Sequence, residues 1–256
     1  MKGNFKFETA GITSDGDVGT APGQPFFNRQ AWVGASGSFG EVRLGRQDSV
    51  PYQTMSDFDF NGAANAVTAL GNSAVAPWLP GRQSRSLQYI SNDFGGVTVQ
   101  AGFVPEGNPT LPVGTTAKSV FSVGVKYAVG PLAVAAAGQT KATSTGKNFT
   151  SVAGSYDLKV VKLMASYANG GDVATGSSGK GIGLGVVAPV AGFNIGAHVA
   201  KNSDNAYKTT ALELFANREI FKNTYAYLDL GRTVNKTAPA PDVKANAYAL
   251  GVIYVF

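Results

Sequence analysis

The sequence predicts an all-β fold: an antiparallel, up-and-down transmembrane β-barrel with about 14 strands. Apolar residues alternate with small or polar ones along many segments, and strict alternation is the strand signal. These segments are long enough to match the 9–11 residues or so with which a tilted barrel strand crosses a bilayer. The connections between them alternate between short and long, which is typical of outer-membrane barrels.

The segment VFSVGVKYAV at residues 120–129 shows the two faces of such a strand. One face is apolar (Phe121, Val123, Val125, Tyr127), and the other is small or polar (Ser122, Gly124, Lys126). A soluble β-sandwich or barrel would need an apolar core. The small, polar face cannot build one, so we expect the apolar face to meet lipid and the polar face to line a lumen.

Composition excludes several classes of protein. Fifteen Phe and ten Tyr among 256 residues supply too much apolar surface for a disordered chain. The net charge of +5 comes without Lys/Arg runs, so no nucleic-acid partner is indicated. Cysteine is absent, which removes disulfides and thiolate chemistry. No internal boundary is evident, and residues 1–256 are expected to form a single outer-membrane β-barrel domain.

The longest connection, residues 48–84, is the candidate functional loop. Loops of this length are usually functional or disordered. Before Arg82 its only charges are acidic, namely Asp48, Asp57 and Asp59. The DFDF segment at 57–60 lacks the full acidic ligand set of a known calcium loop. Neither a metal nor a cofactor is therefore expected.

Four stretches together resemble the general diffusion porins of Gram-negative bacteria, mainly of the β-proteobacterial type. They are FNRQAWVGASGSFGEVRLGR, RSLQYISNDFGGVTVQAGF, FKNTYAYLDLGR and the terminal YALGVIYVF. The resemblance implies an outer-membrane location, about sixteen strands, a homotrimer and a third loop, here 48–84, folded into the lumen. It also implies that the family's signal peptide and first two strands are absent from this chain.

The resemblance implies that three residues line the pore constriction: Arg29 and Arg82 as arginines of the wall, and Glu8 as an acid of the same zone. Alternation adds Arg43 to the polar face, together with Glu41. The loop's Asp57 and Asp59 would face these arginines. A structural role remains an alternative, in which the arginines pair with the nearby carboxylates and hold the loop.

Other side chains have secondary roles in this interpretation. Lys126 and His198 fall on the polar face and are expected to line the lumen. Arg46 follows the apolar parity, so we expect it to extend to a membrane boundary. Aromatic residues near the strand ends are candidates for the interfacial girdle, and the last one is also a candidate assembly signal: Tyr225, Tyr227, Tyr248, Tyr254 and Phe256.

The predicted function is passive diffusion of small hydrophilic solutes and ions, with an anion preference set by the arginines. Outer-membrane lipids, including lipopolysaccharide, are the expected surroundings, and no catalysis is predicted. Two alternatives stay open: a plugged structural or adhesin barrel, and an outer-membrane hydrolase that uses His198, the single histidine. With about 14 strands, the sheet is expected to close between residues 2–10 and 244–256, because unpaired backbone groups in lipid are costly.

Overall fold

The computed structural model describes residues 1–9, 26–60, 81–107, 116–144, 146–171, 178–204, 208–237 and 240–255. Fourteen strands form one sheet in chain order, and each is antiparallel to its sequence neighbour. The strands are β1 (Lys2–Glu8), β2 (Gln30–Gly37), β3 (Gly40–Asp48), β4 (Arg82–Ile90), β5 (Val97–Val104), β6 (Val120–Val129), β7 (Leu132–Gln139), β8 (Phe149–Asp157), β9 (Lys162–Gly171), β10 (Ser178–Val190), β11 (Phe193–Asp204), β12 (Lys208–Phe221), β13 (Thr224–Lys236) and β14 (Val243–Tyr254). The predicted up-and-down barrel topology is confirmed.

One helix, α1 (Val50–Met55), and a 3₁₀-helix (Ser56–Phe58) follow β3. Among the described residues, no helix is long and apolar enough to cross a membrane. Residues 61–80 of the predicted loop 48–84 lie outside the described part of the chain.

The connections alternate in length as predicted. Short turns join β2 to β3, β6 to β7, β10 to β11 and β12 to β13, whereas 33 residues, 49–81, separate β3 from β4. The turn between β10 and β11 uses Ala191 at φ 51° and Gly192 at φ 81°. Two positive φ values are what a two-residue hairpin turn requires to match the twist of its strands.

The sheet carries its apolar residues on the exposed face. On β6, the side chain of Val123 is 57% exposed, whereas its neighbour Ser122 is 8% exposed. The same alternation continues through β7 to β12. In a soluble β-protein the apolar face is enclosed and the polar face is exposed. Here the arrangement is reversed, as in a barrel wall that faces lipid.

β12 and β13 are long strands of 14 and 13 residues, and β12 continues to Phe221. Its last residues include Arg218 and Glu219, which interrupt the apolar pattern. Outside the lipid-facing part of the wall, hydrogen bonding between strands does not depend on the polarity of the side chains. The strands therefore remain paired where the apolar alternation stops.

The predicted closure between the first and last strands is wrong for the described residues. β1 pairs with β2 along its whole length, and β14 pairs with β13; no pairing joins β1 to β14. On β14, Leu250 is 82% exposed. Among the described residues, each of these two strands pairs on one side only. The two outer edges therefore keep backbone groups that are open to pairing.

Candidate functional site

Arg43 is fixed on the inner face of β3 by contacts within the wall. Its Nη2 donates to Oε2 of Glu41 at 2.6 Å, and its guanidinium carbon lies 4.4 Å from the centre of the Trp32 ring. Nδ2 of Asn4 donates to Oε1 of Glu41 at 2.8 Å. The predicted pair of Arg43 and Glu41 thus lies together, and an aromatic face supports the cation.

Arg29 and Glu8 form a second pair, at the start of β2 and the end of β1. Nε of Arg29 donates to Oε1 of Glu8, and the backbone N–H of Arg29 donates to the Glu8 carbonyl at 3.1 Å. Nζ of Lys6 lies 3.0 Å from Oε2 of Glu8. Two cations therefore share one carboxylate, which leaves this corner with a net positive charge.

Arg82, the first residue of β4, pairs with the last residue of β3. Its Nε lies 3.2 Å from Oδ1 of Asp48, and Nε2 of Gln30 donates to the other Asp48 oxygen at 3.0 Å. Nε1 of Trp32 in turn donates to Oε1 of Gln30 at 2.9 Å. A chain of contacts thus connects the Arg82 pair to the Trp32 ring that supports Arg43.

Arg46 is held in place by its neighbours near the end of β3. Its Nε donates to the Asn28 carbonyl at 2.6 Å, and its Nη1 donates to Oγ of Ser84 at 2.8 Å. The register of β3 with β4 shifts here, at Gly45 with φ 138°. The cross-strand partner of Arg46 is Ala31, which shares the face of the exposed Phe7, so Arg46 keeps the outer parity and its extension to a membrane boundary stays a prediction.

The loop begins with a capped helix that is tied to the wall. Oγ of Ser49 accepts from the Tyr52 N–H at 3.2 Å and caps α1. Nε2 of Gln53 donates to the Asp48 carbonyl at 2.6 Å and to Oε1 of Gln88 at 2.8 Å. Burial, followed by the nearby Asp48 carboxylate, raises the pKa of Tyr52, so its phenol stays neutral at physiological pH.

The wall beneath the helix is made of small residues, and they make room for the loop. A Cβ at Gly124 would lie 2.5 Å from Oγ1 of Thr54, and one at Gly102 would lie 3.0 Å from Cγ2 of Val50. Further along, Met55 and Phe58 form a buried cluster with one wall phenylalanine and five wall alanines: Phe149, Ala135, Ala153, Ala168, Ala200 and Ala211. We call these small wall residues, with Gly102 and Gly124, the loop seat. The sequence pattern predicts only that such residues face the lumen, and it does not predict their contact with the loop.

Asp57 and Lys126, both predicted to line the lumen, form a direct pair. Nζ of Lys126, on β6, lies 2.6 Å from Oδ2 of Asp57. The Asp57 side chain is 62% exposed. The exposed acid of the loop is therefore paired with a lysine of the wall beneath it, rather than with one of the predicted arginines.

Asp59 lies in a buried cluster instead of the open passage. Donor atoms of Asp59, His198 and Glu213 lie within 4.8 Å of one another, and all three side chains are buried. Phe60 stacks on Phe215 with ring centres 5.4 Å apart and meets the His198 ring at 5.7 Å. The loop is therefore held against β11 and β12 at Phe60.

This cluster differs from the sequence prediction in two ways. His198 lies on the inner face but is 2% exposed, so it is not a solvated lumen residue. Glu213, its cross-strand partner, was not predicted, although the alternation in LELF places it on the inner face. An imidazole and two carboxylates can bind divalent metals, but a spacing of up to 4.8 Å is wider than the roughly 3.5 Å between ligands of a metal bound at about 2.0–2.2 Å. We assign no metal to it.

The aromatic-girdle prediction does not hold for two tyrosines. Tyr225 and Tyr227 share the face of buried Asp229 by strand parity, which is the inner face. Tyr248 and Tyr254 are 74% and 62% exposed on β14, on the outer side. The polar Asp229 two residues after Tyr227 is the signal that could have identified the inner face. Phe256 lies outside the described residues.

The chain is similar in sequence and in fold to known outer-membrane porins. A family model described as Gram-negative porin matches residues 1–238. Outer membrane porin protein 32 of Delftia acidovorans is 28% identical over 262 residues, which cover 93% of this chain and 72% of the relative. Among solved structures, an anion-selective porin from Comamonas acidovorans superposes with a TM-score of 0.73 at 22% identity, over 90% of this chain and 79% of that one. OmpT of Vibrio cholerae, in a trimer form, superposes with a TM-score of 0.61 at 18% identity, over 88% and 80% of the two chains.

A lipid-facing sheet with a loop anchored on its inner wall defines an outer-membrane β-barrel, and the porins that it matches are channels rather than enzymes. The chain belongs to the Gram-negative porin family, and its location is the bacterial outer membrane.

Proposed function

We propose that the protein is a passive diffusion channel for small hydrophilic solutes and ions, with an anion preference set by the wall arginines. The observation that supports this proposal is the uneven distribution of charge along the inner wall. The sector from β1 to β4 holds four cations, Lys6, Arg29, Arg43 and Arg82, near three carboxylates, Glu8, Glu41 and Asp48.

The sector that carries the loop has the opposite balance. Lys126 is paired with Asp57, and Asp59, Glu213 and Asp229 are buried further along the wall. A positive sector and an acidic loop sector produce a field across the passage. Fixed charges beside low-dielectric walls concentrate counter-ions, and rings of Arg/Lys favour anions. The anion-selective relative from Comamonas acidovorans supports the same direction.

The alternative in which the arginines hold the loop has less support. Arg29, Arg43 and Arg82 pair with Glu8, Glu41 and Asp48, all of which belong to wall strands. The loop is held instead by Gln53, by the Asp57–Lys126 pair and by Phe60 on Phe215. The arginines are therefore fixed on the wall independently of the loop, each beside a carboxylate of the wall.

The deciding experiment is the reversal potential of single channels across a salt gradient in planar bilayers. The double variant Arg29→Ser/Arg82→Ser should shift selectivity toward cations. The shift should shrink with added salt, because the Debye length falls from about 10 Å at 0.1 M to about 3 Å at 1 M. The matched control is Arg218→Ser, which removes an exposed arginine that packs on Phe193 near a short turn.

An unchanged reversal potential in the double variant would contradict the arginine mechanism. Absence of any conductance steps from the unaltered protein would contradict the channel itself and favour a plugged barrel. We extend the proposal to a homotrimer, on the ground that OmpT of Vibrio cholerae has a trimer form. Cross-linking in detergent, followed by denaturing and non-denaturing electrophoresis, tests that assembly.

A further inference from the structure

Four lysines converge on the outer face of the sheet, at the end that carries the long connections. Lys180 is opposite Ser203, Ser203 is opposite Lys208, and Lys208 is opposite Lys236, so these positions form one row across β10 to β13. Lys201 lies on the same face, two residues before Ser203. All four lysines are exposed and line one groove of about 630 Å³. We call these four side chains the lysine row.

The lysine row concentrates positive charge with little compensation. Lys208 and Lys236 are direct cross-strand partners, and like charges in that position destabilise a sheet. Lys236 lies 3.7 Å from Asp242. Within the described part of the chain, Lys180, Lys201 and Lys208 have no ion pair. An anion bound between them would remove the repulsion.

The surface below the lysine row is apolar from β9 to β12, and on β13 it carries the exposed Arg232, the cross-strand partner of Leu212. Ile182 is 52% exposed, and Tyr167 and Leu212 are each 40% exposed on the same face. This face meets lipid, and the end with the long connections is the extracellular one in outer-membrane barrels. The lysine row therefore lies at the headgroup level of the outer leaflet, with an acyl-chain surface directly beneath it.

We propose that the lysine row is a binding site for the phosphate groups of a phosphorylated glycolipid of the outer leaflet, the lipid A type. Several ammonium groups across about three inter-strand spacings of 4.8 Å suit a ligand that carries more than one phosphate. The hydroxyls of Ser203 and Thr210 line the same groove and can bond sugar or phosphate oxygens. The apolar face below accommodates the acyl chains.

The test measures binding to the full chain in detergent by surface plasmon resonance, with bisphosphorylated lipid A in mixed micelles as the probe. The variant Lys180→Gln/Lys208→Gln should bind about thirtyfold more weakly, since each lysine near an anionic lipid contributes about 1 kcal/mol. The matched control Lys159→Gln/Lys222→Gln removes two exposed lysines at the short-turn end and should bind like the unaltered protein.

Three further probes show whether binding requires the phosphates of lipid A or only acyl chains or any anion. Lipid A without phosphates and phosphatidylglycerol should both bind much more weakly than bisphosphorylated lipid A, and inorganic phosphate at equal concentration should not displace it. Equal binding of dephosphorylated lipid A would overturn the proposal, because the acyl chains alone would then suffice. Equal binding of phosphatidylglycerol, or displacement by inorganic phosphate, would also overturn it in favour of a general anion surface.

A second measurement needs no variant, in case the double substitution prevents folding. Bisphosphorylated lipid A should protect Lys180, Lys201 and Lys208 of the unaltered protein from acetylation, as read by mass spectrometry, and should leave Lys159 and Lys222 reactive. Equal reactivity of both groups of lysines with and without lipid A would overturn the proposal.

Discussion

Nζ of Lys126 lies 2.6 Å from Oδ2 of Asp57, which joins the exposed acid of the loop to the barrel wall. The partner of Asp57 is therefore a lysine of β6, a strand on which none of the constriction arginines lies. The proposed charge selection by the arginines and the anchoring of the loop therefore involve different cations, and substitutions can separate them.

Replacing Asp57 with Asn should raise the preference for anions, because it leaves the Lys126 charge uncompensated. One unit charge near the passage contributes up to about 1 kcal/mol to a passing ion in water at about 4 Å, so a twofold to fivefold rise in the anion-to-cation permeability ratio is expected. Reversal potentials across a potassium chloride gradient measure it. Lys126→Gln should shift the ratio the other way; a shift of both variants in one direction would show that the pair is mainly structural.

Replacing Gly124 with Val should push α1 off the loop seat. The first added carbon would lie 2.5 Å from Oγ1 of Thr54, and overpacking of this kind costs about 1–3 kcal/mol. We expect an altered single-channel conductance and a lower temperature of heat-induced unfolding. Gly138→Val is the control, since only the Phe149 carbonyl, at 3.9 Å, lies near its added carbon. Equal effects of the two substitutions would mean that the loop does not rest on Gly124.

Replacing Val123 with Arg should reduce insertion into membranes, because an arginine on the lipid face at mid-bilayer depth costs about 2–4 kcal/mol. Folding yield into lipid vesicles, read from the electrophoretic shift of folded barrels, measures this. Thr98→Arg is the matched control on the inner face, where Thr98 lies opposite Lys126. Ser122 is a poorer control than the sequence suggests, since it is buried close to the loop seat. Equal yields from Val123→Arg and Thr98→Arg would refute the assignment of the two faces.

Replacing Phe60 with Ala should loosen the contact of the loop with β11 and β12. The lost ring pair with Phe215 contributes about 0.5–1.5 kcal/mol beyond its buried area. Single-channel recordings should then show greater current noise with an unchanged sign of ion selectivity. Phe39→Ala, in the short turn between β2 and β3, should leave the noise as it is. A reversed selectivity in Phe60→Ala would indicate that the ring acts on ions rather than on the loop.

The barrel wall was largely predictable from the sequence, because one simple rule governs it. Lipid on one side and an enclosed interior on the other impose a period of two, and segments such as 120–129 show it without interruption. The rule fails where backbone geometry intervenes. A bulge between Gly45 and Gln47 shifts the register of β3 with β4, and no residue count along β3 reveals a shift that this pairing creates.

The inner site was only partly predictable. Arg43 and Glu41 are two residues apart on one strand, so alternation alone brings them together. Asp57 and Lys126 are 69 positions apart, and their contact depends on where the loop rests. That position is set by the fit of Met55 and Phe58 against wall alanines, a matter of three-dimensional packing that a one-dimensional pattern does not contain.

The loop seat also indicates how such a channel can change its aperture. Wall and loop meet through side chains that have almost no volume on the wall side, so each methyl group added there displaces the loop toward the passage. Backbone pairing of β5 to β12 and the lipid-facing residues need not change when this happens. The glycine and alanine positions of the loop seat thus set the distance between the loop and the wall. Small substitutions there can alter the diameter of the passage and leave the membrane-embedded wall unchanged.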